Sequence, residues 1–190
     1  MGYKIKLLGN SLISKDLNGK EELFCSVKPW LIAKNFGLSN VSGVINAVQI
    51  ESSLAGSVMI TGAGAGGEPT ASAVLADIVV IDNGTKLFSF GRNSYDIKVN
   101  FKTTPYKEKY KFYLRLNVVD KSGILADLTS IFKDYNISIE SVIQKSNQED
   151  KTAELVIITH KANNSVLEDA LTSIIKLDGV ITKPVCLNIY

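Results

Sequence analysis

The run Thr61-Gly62-Ala63-Gly64-Ala65-Gly66-Gly67-Glu68-Pro69-Thr70 is the stretch best equipped for chemistry. Gly62, Gly64 and Gly67 satisfy the G-x-G-x-x-G spacing of a dinucleotide loop. Glycines at such positions let the backbone approach a pyrophosphate, and a helix that follows offers unpaired amides and a positive dipole end to the anion. The remainder of a Rossmann unit does not follow, because Asp82, which has the spacing of a ribose ligand, closes a helix rather than a strand. Taken alone, the motif equally describes a tight turn with a helix packed closely on a sheet.

Other reactive side chains have fewer companions. His160 stands at the end of an Ile-Thr-His stretch with no nucleophile or carboxylate at triad spacing, so a structural role is expected of it. Cys25 and Cys186 are far apart and form no C-x-x-C, which argues against a metal site. Trp30 and the aromatics Phe88, Phe90, Tyr95 and Phe101 are expected to cover apolar surface rather than stack on a ligand.

The elements that must position these residues are legible from periodicity. Over 190 residues the hydrophobic fraction is 45% and the formal charge +2, which suits one medium or two small folded domains. No basic stripe is present to meet nucleic acid or an anionic membrane. The first residues lack a signal peptide's apolar stretch and no run is long enough to span a bilayer, so a cytoplasmic setting is expected.

Strands are expected at Tyr3 to Leu8, Leu23 to Val27, Val44 to Ile50 and Ser57 to Ile60, with turns at Asn18-Gly19, Ser42-Gly43 and around Asn10-Ser11-Leu12. A helix should run from Pro69 to Ile81, with the proline in its first turn. The segment from Asn83 to Lys111 marks a boundary.

Beyond it, Phe112, Leu114, Leu116 and Val118 alternate as in a half-buried strand. A turn at Asp120 to Gly123 leads to a helix bearing Ile124, Leu125, Leu128, Ile131, Phe132 and Tyr135 at helical spacing, ended by Asn136. Strands at Ile137 to Lys145 and Thr152 to Thr159 follow, then a helix opened by a Ser165/Glu168 capping box, and a strand from Val185 to Ile189 after Pro184. The fold class is therefore α+β: a partial mixed or antiparallel sheet with a helix over 1–83, a linker over 84–110, and a ferredoxin-like βαββαβ domain over 111–190.

The block from Gly64 to Asp77 resembles the G-A-G-x-x-P-T-A-S-A-V-x-A-D signature of homoserine dehydrogenases. Gly2 to Gly9 and Gly43 to Val48 are similar to two further stretches of that family, in the same order. Tyr113 to Leu116, Asp120 to Ala126, Ile137 to Gln144 and Ile158 to His160 resemble the ACT domain that follows the catalytic part in many of its bacterial members.

The resemblance implies NAD(P)-dependent interconversion of L-aspartate semialdehyde and L-homoserine by the full-length parent, in threonine, methionine and isoleucine biosynthesis. It places Gly66, with Gly64 and Ala65, at the cofactor, and packs the helix from Pro69 on the nucleotide-binding domain. The family's Rossmann domain, catalytic lysine and homoserine-binding acids match nothing here, so the chain alone is expected to bind no cofactor and to be inactive.

The resemblance also implies a small amino acid, L-threonine, bound at the first strand-to-helix turn of the ACT domain. Asp120, Ser122, Gly123, Ile124 and Leu125, with Asn136 and Ile137, are the residues it nominates. Backbone amides after Gly123 suit a carboxylate, and Asp120 an amino group. The alternative is purely structural: Gly123 serves the turn, Ser122 caps the helix and Asn136 ends it. A homo-oligomer, with a dimer foremost, is expected from pairing of ACT sheets. Two readings stand beside the enzyme fragment: a stand-alone, non-enzymatic amino-acid-binding module, and an oligomerisation unit that binds nothing.

Overall fold

The computed structural model describes residues 2–16, 18–84, 93, 95, 102–103 and 109–190. Phe88, Phe90 and Phe101 lie outside the described residues. The chain forms two compact units, one of Met1–Ala33 with Thr103–Tyr190 and the other of Lys34–Lys102.

In the first unit the main path of one sheet runs β1-β2-β9-β6-β8-β7. Its C-terminal part is the expected βαββαβ plan: β6 (Lys111–Val119), α2 (Ile124–Asp134), β7 (Ile139–Asn147), β8 (Thr152–Thr159), α3 (Asn164–Ile174) and β9 (Val185–Ile189). Neighbours in the order β9-β6-β8-β7 are antiparallel, with Leu116 opposite Leu155 at the centre. The alternation of β6 buries Phe112, Leu114, Leu116 and Val118 on one face, where they meet Leu128 and Phe132 of α2 and Leu167, Ala170 and Ile174 of α3. Strand period two and helix period 3.6 thus converge on one core, and truncating Leu128 or Leu155 there costs about 2–5 kcal/mol.

Both helices start differently from expectation. Gly123, left-handed at φ +96, is the N-cap of α2, and no side chain caps it, so the cap assigned to Ser122 is corrected. For α3 the N-cap is Asn163 and the helix is already under way at Ser165, which overturns the Ser165 capping box; Glu168 instead accepts a hydrogen bond from the Asn164 side chain at 3.2 Å. Asn136 does end α2. At φ +53 it occupies the left-handed C-terminal position, its N–H donating to Lys133 O and that of Ile137 to Phe132 O. This pair of bonds is a Schellman motif.

The first unit also contains β1 (Tyr3–Lys15) and β2 (Glu21–Ala33), which pair antiparallel over 13 residues. Asn10-Ser11-Leu12, expected at a turn, lie inside β1; the reversal falls at Asp16 to Lys20, where Asp16 Oδ1 accepts the amides of Asn18 and Lys20. An aspartate holding the backbone in this way competes with strand pairing. The hairpin joins the βαββαβ sheet through a short parallel contact, Trp30 opposite Asn188 and Leu31 opposite Ile189. Trp30, fully buried, packs edge-on against Tyr110 and Tyr190. The spatial division and the sequence division near Asn83 are therefore different cuts, because the first 33 residues pack with the last 88.

The second unit contains a 3-10 turn (Gly37–Asn40), the antiparallel hairpin β3 (Ile45–Ser52) and β4 (Gly56–Ala63), and α1 (Gly67–Asp82); the two-residue β5 (Lys102–Thr103) begins at its end. Helix α1 starts two residues ahead of Pro69, which sits in the first turn where its missing N–H has no partner. The expected close packing of that helix on a sheet is not seen: α1 buries none of its residues, and Val74, Leu75, Ile78 and Val79 are more than half exposed.

Candidate functional site

The glycine run leaves the end of β4 and enters α1. Gly64 N–H donates to Val44 O at 2.8 Å, which fastens the loop to the residue before β3. A methyl group on Gly64 would overlap the side-chain amide of Asn46, so glycine there serves close packing. Gly66 has φ +129 and ψ 150, a conformation open only to glycine, and a Cβ there would press on the Pro69 ring at 3.2 Å. Its carbonyl accepts both the Thr70 N–H and the Thr70 hydroxyl, the latter at 2.7 Å. Gly64, Ala65 and Gly66 are exposed. They present bare backbone at the start of a helix, a surface that suits the phosphates of a dinucleotide. The strand before them belongs to an antiparallel hairpin, so among the described residues the motif has no parallel βαβ setting.

The second candidate lies where β6 runs into α2. Asp120, Lys121, Ser122 and Gly123 are exposed, Asp120 N–H is held by Lys151 O and Asp127 N–H by Gly123 O. Leu125, expected on the apolar face of the helix, is instead exposed beside the turn because it sits on the side of α2 turned from the sheet, while Ile124 points into the core at 3% exposure. Asp178, from the segment that leads to β9, pairs with Lys121 at 2.8 Å, and that ammonium holds the Asp178 carboxyl below the usual range. Val119 N–H donates to Gly179 O and Ile181 N–H to Asn117 O, so this segment braces the turn.

The structure does not bring all seven nominated residues together. Asn136 and Ile137 follow the far end of α2, about 16 Å from Gly123 at the helical rise. Ile137 is also 5% exposed, with its side chain in the core. An amino acid cannot touch both ends of α2 within one chain. Gln144, which no sequence motif marks for the site, reaches the turn instead: its Nε2 donates to Asp120 Oδ1 at 3.4 Å from β7. Nothing in the strand pattern distinguished it, since every residue of β7 after Ile139 is exposed.

The remaining side chains resolve simply. His160 is exposed just past β8, its N–H donating to Ser138 O. Trp30 covers apolar surface as expected, whereas Tyr95 is 90% exposed and does not. Burial pushes the Cys186 thiol up to about 11 and the Tyr110 hydroxyl up to about 12. Among the described residues no helix is long and apolar enough to cross a membrane.

A ferredoxin-like βαββαβ domain with a braced, glycine-capped turn after its first strand is what residues 111–190 define, and the ACT domain profile matches residues 112–179. The homoserine dehydrogenase profile matches residues 1–79. A homoserine dehydrogenase from Neisseria gonorrhoeae is 34% identical over 97% of this chain and 42% of its own length. Another from Helicobacter pylori is 34% identical over 96% and 42%. A solved homoserine dehydrogenase from Thiobacillus denitrificans superposes over 100% of this chain and 43% of its own, with a TM-score of 0.80 at 29% identity. The chain belongs to the homoserine dehydrogenase family, as its C-terminal part with an ACT domain, and spans about two-fifths of the length of the curated relatives it matches.

Proposed function

We propose that this chain serves in the NAD(P)-dependent interconversion of L-aspartate semialdehyde and L-homoserine, as the part of the enzyme that completes the cofactor surface and carries feedback control. The observation that carries the reading is superposition of the whole chain on a solved member of the family. Residues 1–83 act with the catalytic part, 84–110 link, and 111–190 regulate. Gly64, Ala65 and Gly66 lie against the dinucleotide, Gly66 foremost, because its bare backbone is exposed at a helix start. A nicotinamide cofactor supplies the hydride; the chain's own glycines contribute backbone contact and place no proton donor. Taken alone, the chain therefore turns over no substrate, and steady NADPH oxidation by the purified chain would contradict this.

The regulatory ligand is a small amino acid, L-threonine, at the turn after β6. Its carboxylate meets the amides after Gly123, and Asp120, oriented by Gln144, meets the ammonium. Ser122 and Leu125 line the exposed side of that turn, and Ile124 anchors it. Asn136 and Ile137 take part only if a second copy supplies them, as in a homo-oligomer. The test is thermal unfolding with millimolar L-threonine and other small amino acids. A ligand at about 100 times its Kd adds ~2.7 kcal/mol. A selective shift abolished by D120A supports the reading; a shift unchanged by D120A, or one common to all amino acids, contradicts it.

A further inference from the structure

The two helices cover one face of the sheet in the first unit, and the opposite face carries a cationic pocket that neither candidate site uses. On β6 the residues alternate, so Tyr113 and Arg115 point away from the core that Leu114 and Leu116 enter. They pair across β9 with Leu187 and Val185. Tyr3 and Ile5 of β1 and Leu31 of β2 close the other side, and together these residues line a cavity of about 280 Å³. Its walls are apolar or aromatic, and among the described residues no carboxylate lines it.

Arg115 is the single charge in this lining, and among the described residues it has no ion pair. The chain uses lysine for nearly all its basic residues, Arg92 and Arg115 being its two arginines. A guanidinium is the side chain suited to gripping a carboxylate in two parallel hydrogen bonds beside apolar groups. The cleft on the other flank of Arg115, about 490 Å³, carries Lys145 and Lys183 along with Asp150 and Glu154. Asp150 is engaged by the Asn147 amide at 2.8 Å.

We propose that Arg115 and the apolar pocket beside it bind a small hydrophobic carboxylate, of the branched-chain or aryl type, at a site separate from the turn after β6. The carboxylate sits on the guanidinium and the hydrocarbon lies between Leu31 and Leu187. An acid without an amino group fits better than an amino acid, because no acidic side chain in the lining would receive an ammonium. The volume, just under the lower end of the range for drug-sized ligands, suits a ligand of roughly ten heavy atoms.

The test is calorimetric titration of the full chain with 4-methyl-2-oxopentanoate, its uncharged relative 4-methylpentanamide, and L-leucine. The expected result is a Kd on the order of 0.1–1 mM for the oxo acid. The amide and leucine should bind at least about tenfold more weakly, the loss that one charge-assisted contact carries. R115M should remove binding and R115K weaken it, while L187W, which fills the cavity, should abolish it with the circular dichroism spectrum unchanged. Amide perturbations in NMR should cluster at Tyr113, Val185 and Leu187. Equal affinity for the amide, insensitivity to R115M, or no binding by any probe would overturn the proposal. So would a self-associated state that R115M dissociates without any ligand binding, since a second copy would then be the occupant.

Discussion

Asn46 and Gly64 show how one residue's shape can be dictated by another's. The Asn46 amide fills the space where a Gly64 side chain would stand, so G64A must displace it. Because Asn46 is exposed and can swing outward, G64A should cost only about 1 kcal/mol, and N46A should recover part of that, giving a coupling of at least ~0.5 kcal/mol in a double-mutant cycle followed by urea unfolding. Additive single-mutant effects would show that the two do not share space. The cysteines differ by environment. Cys25 is exposed and Cys186 largely covered, with its thiol raised to about 11, so Ellman's reagent at pH 8 should label Cys25 quickly and Cys186 only after unfolding. The raised thiol is a stability statement too: its contribution is present below the unfolded value, roughly 8.5, and fades as pH climbs toward the folded one. In C186A that alkaline loss should shrink. At this scale the glycine loop was legible in the sequence because its residue types are extreme. The Gly123 cap was less so, since Ser122 beside it has the better capping chemistry and only the left-handed φ decides between them. Gln144 gave no signal, because its role depends on which strand lies beside β6's end.

Elements with clean periodicity were the readable ones. The alternation of β6 and the helical stripe of α2 put Phe112, Leu114, Leu128 and Phe132 in the core as expected, and β8 has the expected bounds, Thr152–Thr159. Strand β1 runs well past the expected Tyr3 to Leu8, because Gly9-Asn10-Ser11 looks like punctuation while pairing with Val27 to Cys25 overrides local propensity. The hairpin's attachment to the ACT sheet was not legible at all. It rests on two residue pairs and on Trp30, and no local pattern announces a partner more than 150 residues away. The stop of α2 was readable and gives a sharp test of what Asn136 does. Since its backbone is left-handed at φ +53, N136G should be neutral or slightly stabilising, and N136V should lose about 1–2 kcal/mol in thermal unfolding. If Asn136 also touches the effector from a neighbouring copy, N136G keeps the fold and still weakens the threonine-induced shift. An unchanged shift would leave Asn136 as a helix stop alone.

For the whole molecule, the question is what covers the apolar residues left open. In β1 and β2, Ile5, Leu7, Ile13 and Val27 are all more than half exposed, and the cross-strand register puts Leu7 opposite Pro29 and Ile13 opposite Leu23 on the same face. A contiguous apolar strip of this kind is uncommon on a monomer and marks an interaction surface. Being self-complementary in chemistry, with no charge among those residues, the strip suits an isologous contact between copies around a two-fold axis. The ACT edge offers a second contact, because among the described residues β7 pairs with β8 alone and its residues after Ile139 are exposed. These two surfaces make separable predictions. If the hairpin face holds the oligomer, L7K, which places a charge at the centre of the strip, should convert the chain to a monomer in sedimentation velocity at micromolar concentration, with a little-changed melting temperature at low concentration where the chain is already dissociated. If the β7 edge holds it, L7K leaves the mass unchanged and I143P, which puts a proline into the edge strand and adds no charge, dissociates it instead. A monomer in the unsubstituted chain at every concentration would show that the strip is covered by something other than a second copy.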